Sequence, residues 1–137
     1  MGSSFTEFRG KGFWSRDGLL EAWLRVLSLH MDDDAHKPGW QHDLRDKWLL
    51  DSAGFCSGFI SASLDDFLSD NDRIAAILRA SERSIQSLRG FGAYVPAPFL
   101  SGLGLSGPIA ADLPIERFEL IRGCFTALLH RAASRRA

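Results

Sequence analysis

Cysteine is scarce in this chain. Cys56 and Cys124 are the two among 137 residues, and no CxxC spacing occurs. That excludes the disulfide framework with which many small secreted domains replace a large core. Both cysteines lie in apolar surroundings, one between Phe55 and Phe59 and the other before Phe125. Their setting predicts two buried thiols in a reducing compartment. Long apolar runs are missing too: nothing reaches the roughly 18 consecutive residues of a membrane-spanning helix. The opening MGSSFTEFRGKGFW has no signal-type apolar core. The expectation is a cytoplasmic protein with no membrane partner.

Catalytic signatures are equally sparse. There is no GxSxG elbow, no HExxH pair and no EF-hand loop. The GLGLSG stretch at 102–107 lacks the GxGxxG order and follows no predicted strand, so it does not read as a phosphate cradle. Neither enzymatic activity nor a cofactor is expected.

What the chain does have is a large apolar complement. Ten Phe and four Trp accompany one Tyr, and 45% of residues are hydrophobic against 24% charged. Those proportions are ordinary for a globular domain and argue against general disorder. At this length one domain can bury a real core without metals or disulfides. A single helical domain over residues 1–137 is predicted, with 1–14 an irregular lead-in and 134–137 a frayed tail.

Helical periodicity supports that reading. Ser15 is a candidate N-cap, with Asp17 in the first turn. Leu20, Trp23, Leu24, Leu27 and Met31 then recur at three- and four-residue steps. DDDAHKPG ends this first helix in a polar loop. A second helix is predicted from about Trp40 to Ala53, with Leu44, Trp48 and Leu49 inward. Ser63 is placed to cap a short helix, LDDFLS, and Asp70 or Asn71 a long one that closes at Gly90. Ile74, Ile77, Leu78, Ser81, Ile85 and Leu88 share one face of that helix. A short helix, APFLSGLG, follows Pro96. The last helix runs from near Pro114 to about Ala133 on a stripe of Ile115, Phe118, Ile121, Phe125, Leu128 and Leu129. No strand pair or hairpin is evident. The fold class is therefore all-α, a compact bundle of about five helices with irregular loops.

Charge is unevenly placed. Residues 32–72 contain ten Asp and three basic residues, whereas residues 73–137 contain nine Arg and four acidic residues. The overall charge of −1 thus hides an acidic middle and a basic final half. His30, Asp32, Asp33, Asp34, His36 and His42 crowd together, but without a recognised ligand spacing they read as a solvated acidic loop and not as a metal site. Asp65 and Asp66 are explained by helix capping. Arg73, Arg79, Arg83 and Arg89 line one helix face, the ordinary pattern of a solvated surface; a pI of 6.4 gives no general basic footprint for nucleic acid. The sharper reading belongs to the acidic window. Asp32, Asp33, Asp34, Asp65, Asp66, Asp70 and Asp72 are candidates for one negative docking face. An exposed Trp40 beside them would anchor a basic protein partner.

Four stretches carry a family likeness: FRGKGFWSRDGLLEAWLRVL (8–27), LRDKWLLDSAGFCSGFIS (44–61), ILRASERSIQSLRGFG (77–92) and LSGLGLSGPIAADLP (100–114). In overall texture, covering most of the chain, the sequence resembles small helical bacterial immunity proteins. These are encoded beside polymorphic or type VI-secreted toxins. The resemblance implies a protein that binds a cognate toxin domain in the cytoplasm and blocks its active site or substrate entry. It defines no binding residues. Many such toxins present basic clefts, which an acidic inhibitor would suit. The rival expectation is a small helical ligand- or nucleic-acid-binding domain.

Overall fold

A computed structural model describes residues 2–31, 39–55, 60–105 and 111–134. Six α-helices, one π-helical turn and two antiparallel strand pairs make up these residues. The fold is helix-rich, as periodicity predicts. It is not purely α, because residues 3–16 form a hairpin where an irregular lead-in was expected.

Strand β1 covers Ser3–Phe8 and β2 covers Lys11–Arg16. Phe5 faces Trp14 and Thr6 faces Phe13 across the pair. The two-residue turn between them has φ of +51° at Arg9 and +82° at Gly10. Positive φ at both central positions is the I′ geometry that matches strand twist. Glycine adopts it freely, but for arginine the left-handed region costs about 1–2 kcal/mol. Arg9 is held there by its surroundings. Its N–H donates to Asp65 Oδ1 at 3.0 Å, and its guanidinium donates to the carbonyls of Ala132 (3.1 Å) and Leu68 (3.4 Å). The same guanidinium lies 4.7 Å from the centre of the Phe8 ring. Ser4, Thr6 and Phe8 point inward, whereas Ser3, Phe5 and Glu7 are exposed.

Helix α1 follows directly over Asp17–Leu29. The expected cap residue, Ser15, lies within β2. Arg16 takes the cap position and makes no capping bond with its side chain. The predicted stripe of Leu20, Trp23, Leu24, Leu27 and Met31 is buried. Asp17 Oδ1 accepts from Ser4 Oγ at 2.5 Å, and that hydroxyl accepts from the Ile60 N–H at 3.0 Å. A buried polar relay thus ties the hairpin, α1 and the backbone at Ile60 together.

Helix α2 (Trp40–Leu50) continues into a π-helical turn over Asp51–Phe55. Leu44 and Trp48 are fully buried, and Trp48 Nε1 donates to the Ala62 carbonyl at 2.7 Å. Leu49 is only half-buried. Helix α3 is a single turn, Leu64–Phe67, and α4 runs over Asn71–Arg89. Ser63 makes no capping bond to α3. Strand β3 (Tyr94–Val95) pairs with β4 (Leu113–Pro114), bracketing α5 (Ala97–Ser101), which is shorter than expected. Helix α6 spans Ile115–Ser134.

Helices α4 and α6 pack on each other and on α1. Phe118, Ile121, Phe125, Leu128 and Leu129 of α6 are buried as their spacing predicts, with Phe125 edge-on to Trp23. One contiguous apolar cluster runs from Phe8 to Ala132. Cys124 is exposed, contrary to expectation. Successive helical residues are turned by about 100°, which carries Cys124 off the stripe that its neighbour Phe125 belongs to. Cys56 lies outside the described residues. Among the described residues, no helix is long and apolar enough to cross a membrane.

Candidate functional site

Four of the seven candidate aspartates are open to geometric description. Asp32, Asp33 and Asp34, together with His36, lie outside the described residues. Asp65, Asp66, Asp70 and Asp72 are all exposed, on α3, on the link after it and in the first turn of α4. They gather at helix starts for a physical reason, because carboxylates there meet the positive end of the helix dipole.

Two of the four have local work. Asp70 is the N-cap of α4: its backbone is extended, and Oδ1 accepts the Arg73 N–H at 2.9 Å. Its other oxygen lies 3.9 Å from Arg73 Nε. Asp65 holds the hairpin turn through the Arg9 N–H. The Asp66 and Asp72 side chains make no hydrogen bond or ion pair among the described residues.

Trp40 is not the exposed anchor that the sequence suggested. It is half-buried and packs against the core. The Arg73 guanidinium sits 5.1 Å from its ring centre and donates to the Phe67 carbonyl at 2.9 Å. Arg73 is therefore the residue that brings Trp40, α3 and Asp70 together. Sequence reasoning placed it on a basic stripe, and no spacing signal pointed to this role. Cation–π contact over a tryptophan is the strongest of its kind and is favoured by partial desolvation.

The other α4 arginines are mostly engaged. Arg83 donates to the His30 carbonyl through Nε (3.1 Å) and Nη2 (2.6 Å). Arg89 makes a two-pronged pair with Glu119 at 2.6 and 2.9 Å, and Arg122 of α6 reaches Glu82 at 2.7 Å. Arg79 is exposed. These pairs shift titration. The Arg89 hydrogen bond holds the Glu119 carboxyl below its ordinary value, and Glu119 in turn raises Arg89. Glu82 is lowered first by the Gln86 hydrogen bond and then by Arg122. His30 is lowered mainly by burial and secondarily by Arg83. On α2, His42 stands between Asp46 (Nε2 to Oδ2, 3.3 Å) and Arg45 (Nδ1 to Nη2, 3.1 Å). Among the described residues no group of three His, Cys, Asp or Glu side chains could hold a metal ion.

The arrangement at the α3–α4 junction is thus a small negative edge backed by a cation-capped tryptophan. No protein family, curated protein or solved structure matches the chain.

Proposed function

We propose that this chain is an immunity protein. It binds a cognate secreted bacterial toxin in the cytoplasm and neutralises it by occluding the active site or substrate entry. It acts without catalysis or a cofactor. The observation that carries the reading is the pair of exposed carboxylates, Asp66 and Asp72, with no partner among the described residues. They flank Asp65 and Asp70 at one junction and leave net negative charge available to a basic surface. Charge of this kind speeds encounter with a cationic cleft more than it deepens affinity.

Nucleic-acid binding through Arg73, Arg79, Arg83 and Arg89 is the weaker alternative. Three of those four side chains already bond carbonyls or a carboxylate within the fold.

Co-expression with the toxin encoded beside this gene tests the reading. Growth is restored and the two proteins co-purify. The double variant Asp66→Lys/Asp72→Lys slows association, and raising the salt removes the difference. Failure of the native chain to restore growth overturns the neutralising role. Full association speed in the double variant overturns the α3–α4 edge as the interface.

A further inference from the structure

We propose that the groove between α1, α2 and α5 binds a small organic anion with an apolar body, a medium-chain carboxylate. The inference rests on Arg25, midway along α1, and is independent of the toxin-neutralising reading.

Arg25 is half-buried, and among the described residues its hydrogen bonds all go to neutral oxygens. Nε donates to Ser52 Oγ at 2.5 Å, Nη1 to the Leu103 carbonyl at 3.2 Å and Nη2 to the Leu49 carbonyl at 2.8 Å. No carboxylate pairs with it among the described residues. The backbone is fitted around this cation. Gly104 turns beside it with φ of +81°, and a Cβ there would lie 3.1 Å from Nη1. Part of the GLGLSG stretch therefore holds a guanidinium rather than a phosphate.

The groove against which Arg25 lies has a volume of about 620 Å³. That is within the range of small-molecule sites, roughly 300–1,000 Å³. Leu29, Leu49, Pro98 and Phe99 supply apolar walls, Arg45, in contact with His42 Nδ1 at 3.1 Å, also lines the space, and among the described residues no acidic side chain does. A partly desolvated cation without a counter-charge favours an anion beside it. Arg25 spends three of its five N–H groups on the fold, which leaves donors for a carboxylate head. The aliphatic body then lies along Leu29, Leu49 and Phe99. A neutral apolar ligand would gain the walls but not the charge.

Decanoate is the probe, titrated at fixed ionic strength by calorimetry and by amide NMR shifts, with decan-1-ol as the neutral comparison. Decanoate binds saturably with one site per chain, and its shifts centre on α1, α2 and α5. Decan-1-ol binds at least about tenfold more weakly. Arg25→Gln risks the fold, so the second arm is Leu29→Asp, at a side chain 62% exposed on the groove edge. It weakens decanoate about tenfold while the melting temperature holds. Equal affinity for the alcohol, no saturable binding, an unchanged Leu29→Asp affinity, or shifts centred on the Phe5–Trp14 pair would each overturn the proposal. Asp66→Lys/Asp72→Lys leaves decanoate binding unchanged, which separates this site from the toxin-binding edge.

Discussion

Replacing Asp70 separates a carboxylate that builds the fold from one that is free to meet a partner. Its Oδ1 accepts the N–H of Arg73, three residues on, at 2.9 Å. Loss of such an N-cap costs about 1 kcal/mol. The accompanying ion pair adds little. It is 3.9 Å long, and its side chains are 33% and 54% exposed, so solvent screening leaves it worth at most a few tenths of a kcal/mol. Asp70→Ala should therefore destabilise by about 1 kcal/mol, lowering the melting temperature by about 4 °C for a chain of this size. Asp70→Asn removes the same charge but keeps a capping oxygen of equal quality, so its midpoint stays within about 0.3 kcal/mol of the parent. Urea titrations of both variants, with Asp66→Asn as a neutral reference, measure the difference. If Asp70→Asn falls as far as Asp70→Ala, the charge and not the cap stabilises α4. If neither falls, the capping argument is wrong.

Four further outcomes follow from the geometry. Gly10→Ala places its Cβ in open space but at φ of +82°, so it costs backbone strain of about 1 kcal/mol. Gly12→Ala costs more, because its Cβ would run into the Thr6 carbonyl and the Phe5 ring; urea midpoints rank the two. Trp48→Phe leaves the buried Ala62 carbonyl without its 2.7 Å donor and loses about 1–3 kcal/mol, read by the same titration. Glu82 and Glu119 titrate below their ordinary 4.5 in the folded chain, so their stabilisation is present above that pH and is lost as pH falls through the depressed values. Glu82→Gln/Glu119→Gln flattens the acid limb of stability against pH, and salt shrinks the effect. Cys124 reacts with a thiol reagent in the folded protein, and Cys124→Ser removes that fast reaction.

The helices were legible where an apolar stripe decides the packing. The inward faces of α1 and α6 were read correctly, as was the extent of α4, because burial of Trp23, Ile77 or Phe125 selects one face at a 3.6-residue period. The hairpin was missed because its pattern is inverted. Two of the three buried positions on β1 hold Ser4 and Thr6, with Phe8 the third, while Phe5 and Trp14 lie outside, 40% and 70% exposed. Alternation of that kind is the opposite of the apolar-in pattern that marks a half-buried strand. Its turn is Arg-Gly, not the Asn-Gly or Asp-Gly that announces a I′ hairpin. What holds Arg9 in place comes from Leu68, Asp65 and Ala132, far along the chain, and no local window contains them. Trp40 and Cys124 failed in opposite directions for one reason. Local polarity does not say which way a helix turns its side chains.

The acidic window shows the same limit in electrostatic form. By sequence, its ten aspartates are interchangeable units of charge. In the fold they are not. Asp51 is buried, with a side chain 3% exposed and paired to Lys47 at 3.0 Å, so it contributes nothing to an outer face. Asp65 spends an oxygen on a strained turn and Asp70 spends one on a helix start, yet both keep their charge near the surface. A carboxylate can cap a helix and still project a negative field, because a backbone N–H satisfies a lone pair without neutralising the ion. Capping by Asp70 is therefore compatible with the proposed docking role, because it fixes where that charge stands. Asp65 and Asp70 are held in this way, whereas Asp66 and Asp72 make no such bond and are the charges left for the proposed interface. That is why Asp66→Lys/Asp72→Lys should change the speed of association, while Asp70→Ala should change the stability of the chain that presents them.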